Sequence, residues 1–243
     1  MIKKVPTTQP VNQPNLIFWA VIEHHRWWFA DDGVHLQSIA QNGLNGQNLR
    51  NIAKSYFVSR GIYGGRESEL AEHINNQSTE WPENLLERCQ FCANLATYAE
   101  EEGWTRGQQA SAMSKLMWFL KPTKWTMFDQ FAANGAEVPR NANPLLRMQN
   151  FFTAIHNRGF THAAGEIQAV IDEREQICLF GERVIDKFLM LRGFDENRRT
   201  TTINYCQYYL NILPEAQKNS LIDLAGAIQA SCADGLLRLP ANI

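Results

Sequence analysis

Apolar residues recur three and four apart along almost the whole chain, and no run alternates at strand period. Leu49, Ile52, Ala53, Tyr56 and Phe57 follow this spacing. So do Leu85, Leu86, Cys89, Cys92, Ala93, Leu95 and Ala96, and again Ala110, Met113, Leu116, Met117 and Leu120. No segment rich in Val, Ile and Thr has turns on both sides. The pattern predicts an all-α, multi-helix globular protein of about ten helices.

Breaks in the pattern place the boundaries. Residues 1–14 hold three prolines and read as an extended arm, because proline suits neither helix nor sheet interior. A first helix starts near Asn15, and Asp31-Asp32-Gly33 reads as a turn. The loop from Arg60 to Arg66 has three glycines in five residues. Pro82 suits a first helical turn, and Thr105 an N-cap. Further helices are expected at roughly 162–173, 177–192, 200–213 and 214–234. Residues 15–243 therefore read as one all-α domain, or as two helical subdomains meeting near 134–144.

Several functional classes lose support at this level. The first residues lack the long apolar core of a signal peptide, and Leu16–Ile22 is too short to span a bilayer. Five scattered cysteines fit a reducing compartment, so a cytoplasmic protein without membrane contact is expected. Cys89 and Cys92 have CxxC spacing, but no second pair accompanies them. His24 and His25 are neighbours on a helix and point about 100° apart, which suits no shared ion. No metal and no cofactor is expected. A net charge of −2 rules out a molecule that is basic all over, but not a local basic patch.

Chemistry concentrates between Ser114 and Ala132. An apolar helix carrying Ser114-Lys115 runs through Trp118-Phe119-Leu120 into Lys121-Pro122, and a linker with Lys124 and Trp125 leads to Phe128-Asp129. Asp129 stands where the next helix should begin. It can cap that helix, or it can hold a lysine or activate a water. Trp118 and Trp125 suit stacking on a base or burial in a core.

This stretch resembles the helix-hairpin-helix DNA glycosylase superfamily, most closely its bacterial 8-oxoguanine-glycosylase-like branch. The resemblance covers about twenty residues: Ser-Lys, an apolar turn, Phe-Leu-x-Pro, an aromatic linker, then Asp-x-x-Ala. It implies a helical fold with a cleft for an extruded base. It also implies a catalytic carboxylate at Asp129, with Lys115 as the nearest lysine. Bifunctional members carry their lysine in the hairpin, where this chain has Gly103-Trp104-Thr105-Arg106-Gly107 followed by Gln108 and Gln109.

Two arginine groupings add to a possible DNA-facing stripe: Arg60 and Arg66 in the glycine-rich loop, and Arg198 and Arg199 before a hydroxyl-rich helix start. Lys121, Lys124 and Arg140 complete the set. Two functions follow as expectations. One is a DNA-binding, glycosylase-like DNA-repair protein. The other is a non-catalytic α-helical interaction module of a larger bacterial complex, with a protein partner.

Overall fold

The computed structural model describes residues 15–174 and 178–232, so the expected arm at 1–14 and the last residues of the expected final helix lie outside them. Twelve α-helices are present among the described residues, and no strand. In order they are α1 (Asn15–Trp27), α2 (Gly33–Asn42), α3 (Gly46–Ser55), α4 (Glu67–Ser78), α5 (Leu85–Glu101) and α6 (Ala110–Leu120). There follow α7 (Gln130–Gly135), α8 (Pro144–Asn157), α9 (Phe160–Asp172), α10 (Gly181–Gly193), α11 (Glu196–Ile212) and α12 (Glu215–Ser231). Among the described residues a single antiparallel bridge joins Ile62 to Thr105.

Side-chain caps set many of the helix starts. Asn45 and Asn48 form a reciprocal capping box on α3, Asn84 caps α5, Asn143 caps α8 ahead of Pro144, and Asp195 caps α11. Several boundaries differ from the sequence expectation; α11, for one, starts at Glu196 because Asp195 caps it, so Arg198 and Arg199 lie inside its first turns and not before the helix. Asp31-Asp32-Gly33 is not a turn: Trp28–Asp32 form a π-helical turn that runs on into α2. The Asp32 side chain is drawn inward by Arg183 and Tyr56 instead of capping a helix start. α5 begins after Asn84 rather than at Pro82, because the asparagine supplies the cap. Thr105 caps nothing; its hydroxyl donates to Gly107 O, and α6 begins at Ala110.

α10 is the organising helix. It packs against α7, α1 and α9, while α1 also touches α11 and α12. α5 packs on α6 and α8, and α2 on α3 and α6. The α7–α10 contact is unusually close. A Cβ on Gly135 would meet Leu189 O at 1.9 Å, and one on Gly193 would meet Phe131 O at 1.9 Å. Only glycine permits this approach. It presses the short helix headed by Asp129 onto the helix that carries Arg183, Asp186 and Lys187.

Candidate functional site

Ser114 and Lys115 stitch α6 to the linker before α7. Ser114 Oγ accepts Phe128 N–H at 3.0 Å, and Ser114 O accepts Trp125 Nε1–H at 2.9 Å. Lys115 Nζ donates to Ser111 Oγ at 2.7 Å and to Phe128 O at 3.1 Å. Lys115 is thus no solvated helix lysine; it is buried and used as a donor. Burial lowers its pKa from the ordinary 10.5, against the opposing pull of Asp129 and Asp186.

Asp129 does cap α7. Its Oδ1 accepts Phe131 N–H and Ala132 N–H, both at 2.8 Å. Oδ2 has no hydrogen-bond partner among the described residues, and Asp129 lies in the wall of a cavity of about 780 Å³. Lys115 lines the same cavity. The two backbone bonds fix the carboxylate's direction and leave one oxygen for other chemistry.

The cavity is lined by six cationic side chains, Arg26, Lys115, Arg147, Arg183, Lys187 and Arg198, against two carboxylates, Glu23 and Asp129. Trp27, Tyr56, Phe57, Phe131, Phe194 and Tyr205 supply aromatic surface. Phe57 is 88% exposed and sits at φ 56°, a left-handed conformation unfavourable for a bulky residue.

A buried ionic network stands behind the wall. Arg183 Nε donates to Asp32 Oδ2 at 3.1 Å, Nη2 to Tyr56 OH at 2.7 Å, and Nη1 to Asp186. Tyr56 OH donates to Asp32. The guanidinium lies 5.4 Å from the Trp118 ring centroid. Burial pushes the Asp186 carboxyl up, whereas Arg183 and Lys187 hold Asp32 below its ordinary value despite burial. Glu23 accepts two bonds from Arg26 at 2.8 Å each and one from Trp27 Nε1 at 2.7 Å. Lys187 is 1% exposed, and its Nζ lies 4.4 Å from the Trp27 ring centroid. That ammonium has no hydrogen-bond or ion-pair partner among the described residues. Burial and Arg183 push its pKa down to about 8.

Of the side chains expected to meet nucleic acid, Arg198 lines the cavity, over the rings of Phe131 at 4.2 Å and Phe194 at 5.0 Å. Arg199 is turned the other way and donates to the carbonyls of Leu191, Arg192 and Phe194 at the end of α10. Trp118 and Trp125 are both fully buried, so neither offers a face to a base. Trp118 packs under Arg183, and Trp125 stacks on Phe152 at 4.2 Å. Their large apolar area finds the core first. Lys121 and Lys124 both pair with Glu83, away from the cavity wall. Arg66 pairs with Glu69. Arg60 and Arg140 are exposed and lie outside the lining.

Gln109 packs against Gly61 and donates to Arg106 O; neither it nor Gln108 lines the cavity. Cys89 and Cys92 are buried free thiols raised by burial. His24 Nε2 accepts Phe180 N–H at 3.1 Å, a structural role. Among the described residues no group of three or more His, Cys, Asp or Glu side chains could hold a metal ion, and no helix is long and apolar enough to cross a membrane.

Arg183, Asp186, Lys187, Glu23 and Trp27 match no motif. One signal does mark α10: charges at 183, 186 and 187 lie among Val184, Ile185, Phe188 and Leu189, leaving no clean polar face. No family model matches the chain, and no curated protein or solved structure does either.

Proposed function

We propose that the protein binds DNA and removes a base by hydrolysing its N-glycosidic bond, with Asp129 as the catalytic carboxylate. The observation that carries this reading is the position of Asp129: one oxygen is fixed by two backbone amides, and the group is set in the wall of a large, cation-lined cavity. A cavity of about 780 Å³ is large enough for a base with its sugar. A base cannot be reached inside a duplex, so it has to be extruded into such a space.

In the reaction, positive charge develops on the sugar as the carbon–nitrogen bond breaks. A fixed carboxylate on a low-dielectric wall stabilises that charge and orients the attacking water. Water adds to the sugar carbon, the base leaves with the bonding pair, and one proton passes from the water to the base, leaving a hydroxyl on the sugar. Lys115 holds the Phe128–Asp129 peptide in place. Arg198 and Arg147 suit the phosphates that flank an extruded nucleotide. A helix-capping role alone accounts for only one of the two Asp129 oxygens, because Oδ2 has no hydrogen-bond partner among the described residues.

The test is incubation with duplexes and single strands bearing 8-oxoguanine, uracil or alkylated bases, with released base assayed by mass spectrometry. Release from at least one substrate is expected. Release from none, with no DNA binding at low salt, contradicts the proposal.

A further inference from the structure

Exposed rings gather on one face of α11. At 100° per residue, Arg198, Thr201, Thr202, Tyr205, Tyr208 and Ile212 fall within about 120° of one another. The buried Ile203, Cys206 and Leu210 lie on the other side, against the core. Tyr205 is 60% exposed, Tyr208 66% and Ile212 60%. The stripe begins in the cavity wall, with Arg198, Thr201, Thr202 and Tyr205, and runs out over Tyr208 to Ile212, a rise of about 20 Å. Glu196, the only acid within α11, lies across the helix axis from Tyr205. Phosphate-gripping charge is scarcer. Lys121 and Lys124 are paired with Glu83 and Arg66 with Glu69, and Arg199 is spent on carbonyls at the end of α10. Arg198 is exposed, and no carboxylate pairs with it among the described residues.

We propose that the outer face of α11 is a track for single-stranded DNA. The nucleotides beside the one in the cavity stack on Tyr205 and Tyr208, and Arg198 holds the phosphate between track and cavity. Stacking needs open base faces. A duplex hides them between its pairs and offers mainly phosphate, which this surface is poorly supplied to hold. A single strand exposes every base, and an aromatic ring accepts any of them. It also spares the unpairing that extrusion from a duplex costs. Two phenols, two threonine hydroxyls and a guanidinium give the face stacking and hydrogen-bonding groups, which suit a nucleotide chain better than a dry apolar contact. The preference for a single-stranded substrate rests on the base-excision reading; the stacking face itself does not.

The experiment measures fluorescence anisotropy with the full chain at low salt. The probes are a labelled mixed-sequence strand of about 20 nucleotides, longer than the roughly 4–16 that single-strand sites cover, and the duplex it forms with its complement. The single strand should bind about tenfold tighter or more. Tyr205→Ala and Tyr208→Ala should each weaken it by about fivefold to a hundredfold, the usual loss of one stacked base. Tyr205→Phe and Tyr208→Phe, which keep the ring, should stay close to wild type. Thermal melting shows that the variants are folded. Duplex bound as tightly as the single strand, binding of neither, or folded alanine variants that bind like wild type overturns the proposal. So does sedimentation showing a dimer that Tyr208→Ala breaks, with no strand bound, because the face then belongs to a second copy. Base release, measured separately, tells the two readings apart. Tyrosine-dependent strand binding without release from any substrate upholds the track and counts against base excision; release from duplexes untouched by the alanine variants does the reverse.

Discussion

Lys115 and Asp129 are tied through one peptide: Lys115 Nζ donates to Phe128 O at 3.1 Å, and that carbonyl belongs to the peptide that leads into Asp129. Ser114 Oγ holds the Phe128 amide of the same segment at 3.0 Å. The Ser-Lys pair therefore positions the carboxylate.

The capping role of Asp129 predicts a stability pattern. Asp129→Asn keeps an acceptor for the two amides and should shift the melting temperature little. Asp129→Ala should cost about 1 kcal/mol, the usual loss for an N-cap. Chemical denaturation of both variants checks this; equal losses would show that Oδ1 is not the cap.

Lys187→Met should stabilise the fold at neutral pH, by roughly 1–3 kcal/mol, because it removes a buried and unpaired charge. The pH dependence follows from a folded pKa of about 8 against the ordinary 10.5. Because the folded value is the lower one, the lysine's favourable contribution is complete only above 10.5 and is lost as pH falls through about 8. The advantage of the methionine should be largest below pH 8 and close as pH rises toward 10.5. An advantage independent of pH across that window would place the ammonium in water.

Arg198 and Arg199 should separate cleanly. Arg199→Ala removes donors from three carbonyls at the end of α10 and should cost about 1–3 kcal/mol of stability. Arg198→Ala should leave stability nearly unchanged but weaken DNA binding and reduce its salt dependence by about one phosphate contact. Binding measured across a salt series, beside thermal melts, distinguishes the two.

Phe57 combines an exposed ring with a left-handed backbone at the cavity mouth. Phe57→Gly relieves that conformation and should raise stability by a few tenths to about 1 kcal/mol, while weakening DNA binding. Unchanged affinity would remove the ring from the interface.

The all-helical class was legible because apolar spacing of three and four is set by the helix itself. Asp129 and Lys115 were legible for a local reason: a cap and a lysine fourteen residues before it belong to one turn of chain around Pro122. Trp118 and Trp125 misled because an aromatic that suits stacking suits burial equally, and only packing decides. Lys187, Arg183 and Glu23 were hidden because their meeting depends on α1 packing against α10, a contact between residues more than 150 positions apart. Arg198 and Arg199 look alike in sequence, and the helix turn points them to opposite tasks.

The central claim rests on the charge of Asp129, so its most direct test is single-turnover base release by wild type and Asp129→Asn on the substrate the wild type accepts. Release should fall by orders of magnitude in Asp129→Asn, with DNA affinity and melting temperature nearly unchanged, because the shape and the cap remain while the charge is gone. Equal release by the two proteins would contradict the account and leave Asp129 as a helix cap alone.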